Sequence, residues 1–323
     1  MQTSSLGKFE GISRLTLGGG GIGQVWGETS QDEAIATVRL AYESGINFFD
    51  LAPLYGKGEA ERVMGLAFAD GYPSDLRITT KCMVGQVAPE SVEEKLRTSL
   101  EQSLERLRRT AVDVYILHGY VIPDGFKQAT RPDVLPAVAV AWSTYENFVI
   151  PAFERLCEEG TIGAWGITAA SVQEANLKTL SVQTKPGLVQ CIANLLDSPG
   201  NMALTEELPN PREVITKASE NKVGVMGIRA VAAGSLTDKV DREVSPRSRI
   251  QRDYDRALPF RAIAKDLGVA PSVLAHQYAL TIPGVDTLVL GVKNREELEQ
   301  CLLAESLGPM EAELMARIDE AVS

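Results

Sequence analysis

The chain is poor in the residues that build metal and disulfide centres. Its 323 residues include two histidines, His118 and His276, and four cysteines, Cys82, Cys157, Cys191 and Cys301. With no short Cys/His spacing there is no zinc-type ligand cluster to propose. The cysteines show no paired spacing and sit in apolar segments, which reads as reduced thiols in or near the core of a cytoplasmic protein. Long hydrophobic runs are missing too. No segment has the apolar length of a bilayer span, and the opening "MQTSSLGKFEGISRL" has no signal-peptide core. Positive charge is in deficit, 32 Lys and Arg against 43 Asp and Glu, a net charge of −11. That balance argues against nucleic acid or an anionic membrane as partner. No Gly/Ser/Pro-rich linker divides the chain, so residues 1–323 read as one domain.

What the sequence has is alternation. Eight short β-branched runs stand out: "RLTLGG", "GINFFDLA", "LRITTK", "VDVYILH", "IGAWGIT", "LVQCIANLL", "VGVMGIRA" and "DTLVLG". Amphipathic helical segments separate them, with stops at Gly45 and Gly160. The clearest helix is "PESVEEKLRTSLEQSLERLRR", in which Val92, Leu96, Leu100, Leu104 and Leu107 form one stripe. Strands apolar on both faces, each followed by a helix, imply a parallel sheet, and eight imply a closed (β/α)₈ barrel. Two connections are long, from Gly119 to about Asn147 and from about Gly234 to Arg256. Both follow strands, so both belong on the C-terminal face, where barrels of this kind carry their sites.

The stretch "LGGGGIGQVWG" contains a loose G-x-G-x-x-G at Gly18, Gly20 and Gly23. A true dinucleotide-binding turn opens directly into a helix. Here the helical pattern waits until the capping box "SQDE" at Ser30, and a loop with Trp26 intervenes. The glycines are better explained by close backbone approach at a strand end.

Four polar side chains fall at strand ends. Asp50 closes "INFFD" and Tyr55 follows five residues later; Lys81 closes "ITTK"; His118 closes "YILH". A phenol is a poor acid at neutral pH unless a cation favours its phenolate. Lys81 supplies that charge, Asp50 holds Lys81, and His118 orients a carbonyl oxygen by hydrogen bonding. This set can protonate a carbonyl oxygen as the carbon is reduced.

On these residues the sequence resembles the aldo-keto reductases. The stretches that carry the likeness are "GINFFDLAPLYGKGEAERVMGLAF", "LRTSLEQSLERLRRTAVDVYILH" and "LVLGVKNREELEQCL". The resemblance implies a (β/α)₈ barrel, hydride exchange between NADP(H) and a small aldehyde, ketone or sugar lactol, and a catalytic tetrad of Asp50, Tyr55, Lys81 and His118. It places Gly21 near the nicotinamide, with Thr168 and Gln190 toward its carboxamide. Arg229, Ala230, Gly234 and Leu236 fall in a seventh-strand turn toward the pyrophosphate. Gly291, Lys293, Glu297 and Gln300 fall on the adenosine side. Trp26 is either substrate-pocket wall or rim packing.

The chain also departs from the family pattern. Ala169 stands where a second carboxamide ligand is usual, the proline of the seventh-strand turn is absent, and Gln300 and Cys301 replace a Glu-Asn pair. Glu297 occupies a position where relatives often place Arg or Gln, so NAD(H) is expected to be accepted beside NADP(H). Arg242, Arg247, Arg249, Arg252 and Arg256 lie on the second long connection, either folding over the cofactor or solvated. His276 reads as a packed histidine. The rival classes are a cofactor-binding regulatory subunit with little turnover and a Schiff-base aldolase; a lysine kept charged beside Asp50 is wrong for the latter. Monomer and homo-oligomer are both compatible with the sequence.

Overall fold

A computed structural model of the protein describes residues 1–170 and 172–322. Strands β1 (Thr3–Leu6) and β2 (Phe9–Ser13) form an antiparallel hairpin. The barrel strands are β3 (Leu15–Gly18), β4 (Phe48–Asp50), β5 (Arg77–Cys82), β6 (Val112–Leu117), β9 (Ile162–Ala169), β10 (Leu188–Ile192), β11 (Gly224–Ile228) and β12 (Thr287–Leu290). Each pairs in parallel with the next, and β12 closes on β3. All eight runs read from the sequence are therefore strands of one (β/α)₈ barrel. A further short parallel pair, β7 (Tyr120–Ile122) with β8 (Ala139–Ala141), lies in the excursion after β6.

The period of two along each strand decides what faces inward. Phe48, Val114, Ile116, Leu188 and Met226 form one cluster with Leu6 and Ile12 of the hairpin. That cluster fills the barrel interior, and the hairpin closes its N-terminal end. The alternate residues, such as Phe49, Tyr115, Leu117, Val189 and Val225, pack outward against the helices. In the helix Val92–Leu107 the residues Val92, Leu96, Leu100 and Leu107 are buried, and Leu104 packs against the same core. Ser30 caps the helix Gln31–Glu43 by accepting from the Glu33 N–H. Gly45 and Gly160 end their helices with φ of 92° and 75°, a region that a side chain disfavours.

Neither long connection is structureless. The first holds β7 and β8 and then runs into a helix through Ile150–Glu158. The second ends in the helix Arg249–Arg256, capped by Ser248. Among the described residues no helix is long and apolar enough to cross a membrane, no group of His, Cys, Asp and Glu is arranged to hold a metal, and no disulfide forms.

Candidate active site at the C-terminal mouth of the barrel

Strand alternation carries the interior rows upward into chemistry. Asp50 stands one inward step above Phe48, and Lys81 one step above Thr79. His118 continues the row of Val114 and Ile116, and Gln190 that of Leu188. Thr168 occupies the corresponding place on β9, in register with Gln190. The four expected catalytic residues do converge. Lys81, fully buried, donates from Nζ to Asp50 Oδ2 at 2.8 Å, to the Leu51 carbonyl at 2.8 Å and to the Tyr55 hydroxyl at 3.3 Å. The Tyr55 and His118 rings meet edge to face, 5.6 Å between centroids.

Asp50 is held from its other oxygen, Oδ1, which accepts from Thr79 Oγ1 at 2.7 Å and Gln190 Nε2 at 2.8 Å. The two partners fix the carboxylate against Lys81. Burial draws the Lys81 pKa down, but Asp50 and Tyr55 together lift it above the usual lysine value, so the ammonium stays charged. Burial raises the Tyr55 phenol, Lys81 lowers it and Asp50 raises it; the outcome lies above the ordinary phenol value. Sequence reasoning expected Lys81 to favour the phenolate, and burial outweighs that pull. Tyr55 is thus a protonated donor at neutral pH. Burial, with the Lys81 charge, lowers His118 to about 3, so the imidazole is neutral.

The glycine run answers to packing. A Cβ on Gly18 would lie 2.1 Å from the Leu290 carbonyl oxygen, and one on Gly21 1.8 Å from that of Val292. The first-strand turn therefore lies directly on the end of β12. Trp26 is half-buried, its Nε1 over Gly20 and Gly291, and the Arg242 guanidinium lies 5.6 Å from its ring centroid.

On the other side of that turn, Lys293 Nζ donates to Glu297 Oε1 at 2.5 Å and Asp241 Oδ2 at 2.9 Å. Glu297 Oε2 also accepts from the Lys293 backbone N–H at 2.8 Å, while Asn294 caps the helix Arg295–Ser306. Of the five arginines on the second connection, Arg242 turns toward Trp26 and donates to the Ala233 carbonyl at 2.7 Å. Arg256 turns the other way and donates to Val322 and Leu196 carbonyls.

Other expected cofactor residues are engaged within the protein. In the turn after β11, Leu236 is a core side chain whose N–H bonds the Val231 carbonyl at 3.2 Å, and the Gly234 N–H bonds the same carbonyl at 2.9 Å. Ala230 is buried. Arg229 has a left-handed backbone, φ 63°. Gln300 Oε1 accepts from Ser272 Oγ at 2.6 Å. His276 is packed as expected, its Nδ1 2.7 Å from the Ser272 carbonyl.

A family model, the Aldo/keto reductase family, matches residues 14–323. The chain belongs to the aldo/keto reductase family. It is 28% identical over 315 residues to an L-galactose dehydrogenase of Arabidopsis thaliana, covering 95% of this chain and 90% of that one. It is 26% identical over 310 residues to a putative voltage-gated potassium channel subunit beta of Schizosaccharomyces pombe, covering 88% and 83%. A glycerol dehydrogenase from Gluconobacter oxydans shares its fold, with a TM-score of 0.72 at 19% identity over 99% of this chain and 94% of the other. An oxidoreductase barrel using a nicotinamide cofactor is the family's general character.

The mouth of this aldo/keto reductase has polar atoms that fit such a cofactor and its substrate. Thr168 Oγ1 and His118 Nδ1 are buried and have no hydrogen-bond partner among the described residues. Gln190 spends its amide nitrogen on Asp50, with its carbonyl oxygen still available. Sequence reasoning missed Thr79, whose hydroxyl grips Asp50, and Asp241, which grips Lys293. Thr79 carries a signal in hindsight, being one inward step before Lys81. Asp241 carries none, because its partner is 52 residues away.

Proposed function

We propose that the protein is an NAD(P)-dependent oxidoreductase interconverting the carbonyl and alcohol of a small aldehyde, ketone or sugar lactol. The observation that carries the reading is the Lys81 ammonium, hydrogen-bonded at once to Asp50 and to the Tyr55 hydroxyl. Thr168, the Gln190 carbonyl and the Lys293 region are the groups to hold the cofactor, which when bound supplies the hydride. Tyr55 gives its proton to the substrate oxygen in reduction and takes it back in oxidation. Lys81 stabilises the phenolate left behind, and the strongly hydrogen-bonded Asp50 keeps Lys81 in place. Neutral His118 donates a hydrogen bond to the substrate oxygen without adding a second cation beside Lys81.

The cofactor is NADP(H), with NAD(H) also accepted. Glu297 supports this, because it holds Lys293 and occupies the approach to the helix N-terminus that would otherwise attract a 2′-phosphate. Trp26, over the glycine turn, forms one wall of the substrate entrance.

The test is loss of the reduced-nicotinamide absorbance band with a panel of aldehydes, ketones and sugars, with each cofactor in turn. Turnover of at least one substrate class is expected. Tight cofactor binding without turnover of any of them would instead support a regulatory subunit of the same fold.

A further inference from the structure

The excursion after His118 and the turn after β11 bring together a second group of polar side chains that the tetrad does not use. Tyr120 lies two residues beyond His118 and packs with Ala170, Ile192 and Leu204 in an apolar cluster bordered by Ile228. These residues cap the ends of β6, β9, β10 and β11, so the cluster forms the wall next to His118, Thr168 and Gln190. Arg229 follows Ile228 directly. Its left-handed backbone sends the guanidinium against Gly200, where a Cβ would meet Nη2 at 2.7 Å. Nη2 donates to Asn201 Oδ1 at 3.2 Å. Arg131 reaches the same residue from the excursion and donates to the Asn201 carbonyl at 3.0 Å. The Thr130 N–H donates to the Leu204 carbonyl at 2.8 Å and ties the two loops together.

The group has donors and no acid. Arg229 Nε is buried without a hydrogen-bond partner, and among the described residues Arg229 makes no ion pair. Asp253, the carboxylate whose charge reaches Arg229, is occupied by the Ser198 hydroxyl at 2.5 Å. Burial pulls the Arg229 pKa down to about 10, with Tyr120 and Asp253 opposing and Arg242 assisting. A guanidinium fork whose buried Nε–H is unmatched, whose Nη2 meets only the neutral Asn201 side chain and which has no ion-pair partner among the described residues leaves a polar donor unsatisfied. Such a fork matches a carboxylate or phosphate in a bidentate grip.

We propose that Arg229, with Arg131 and the Tyr120 hydroxyl beside it, is an oxyanion subsite in the substrate mouth, and that preferred substrates carry a carboxylate or phosphate besides the reacting carbonyl. This rests on the oxidoreductase reading. The same oxyanion chemistry could come from the cofactor's phosphates, and the experiment separates the two sources.

Initial rates are measured with 4-carboxybenzaldehyde against benzaldehyde and with D-glucuronate against D-glucose, together with NADH affinity by fluorescence. The wild type favours the anionic member of each pair at least about tenfold in kcat/KM, mainly through KM. Arg229→Gln reduces that ratio about 10- to 100-fold, the loss of one charge-assisted hydrogen-bonded pair, while the Kd for NADH moves less than about threefold. Arg229→Lys restores part of the ratio, and Arg131→Gln, at the solvent edge, lowers it to a smaller extent and guards against a folding failure of the Arg229 variants. Calorimetric titration with 4-carboxybenzyl alcohol against benzyl alcohol, with and without NADH, reads the same preference with no turnover needed. An unchanged ratio in Arg229→Gln with weakened NADH binding would assign the arginine to the cofactor and overturn the proposal. So would equal handling of charged and neutral probes by the wild type. Anion preference in calorimetry without turnover of any aldehyde supports the subsite and counts against the oxidoreductase reading alone.

Discussion

Replacing Glu297 by Gln removes one negative charge from a cluster in which Lys293 faces two carboxylates, Glu297 at 2.5 Å and Asp241 at 2.9 Å. As it stands the three side chains sum to −1, and the region proposed to meet a 2′-phosphate is on balance repulsive. The magnitude follows from Coulomb's law: two unit charges about 5 Å apart at an effective dielectric near 20 interact by about 3 kcal/mol. Glu297 keeps 34% of its side chain exposed, and solvent and salt reduce the figure to about 1 kcal/mol. That corresponds to roughly a fivefold change in affinity. Gln retains an oxygen to accept the Lys293 N–H, so the start of the helix Arg295–Ser306 is preserved. Fluorescence titration should show Glu297→Gln tightening NADPH about fivefold and leaving NADH nearly unmoved. The gain should shrink as salt is raised. Equal shifts for both cofactors, or none, would refute the claim that Glu297 senses the 2′-phosphate.

Three further outcomes follow from the geometry. Lys81→Met is expected to abolish turnover and raise the pKa governing any residual oxidation; it also strands Asp50, and denaturant unfolding should show a loss of about 3–5 kcal/mol. Since His118 is held near 3 when folded and sits at its ordinary 6.5 when unfolded, the unfolded chain binds the extra proton between those values. Stability therefore rises with pH across that window, and His118→Asn should flatten the slope by up to about 1.4 kcal/mol per pH unit in acid unfolding curves. Tryptic cutting after exposed Arg247 should slow when cofactor is added, because Asp241 and Arg242 attach that connection to Lys293 and beside Trp26. Unchanged cutting rates would show that the connection does not respond to the cofactor.

The barrel was legible because its signals are local. The strands are short apolar runs, and helices such as Val92–Leu107 carry their own apolar stripe, so that helix could be read from spacing alone. The convergence of Asp50, Tyr55, Lys81 and His118 was legible for a related reason: in a parallel barrel, strand ends share one face. What escaped depends on contacts between distant segments. The hairpin Thr3–Ser13 has little apolar content, and only its insertion beneath Phe48 and Met226 makes it a strand pair. "LVQCIANLL" reads as one long strand, yet it stops at Ile192. There Asn194 Oδ1 accepts the Leu196 and Ser198 N–H groups and its Nδ2 donates to the Ser198 and Arg229 carbonyls, folding the chain into a turn. The sign of the Tyr55 pKa shift depended on burial, a tertiary quantity. The local turn that ties the Leu236 N–H to the Val231 carbonyl likewise has no signal in the sequence.

Turnover by Tyr55→Phe tests the central claim most directly. The phenol is the group proposed to move a proton, and the change removes one oxygen while leaving the ring against His118 and Lys81. Steady-state rates with the best substrate of the panel should fall by about 10²–10⁴-fold, with the Kd for reduced cofactor changed less than about threefold. Near-normal turnover in a variant that binds cofactor normally would contradict the assignment of Tyr55 as the proton donor.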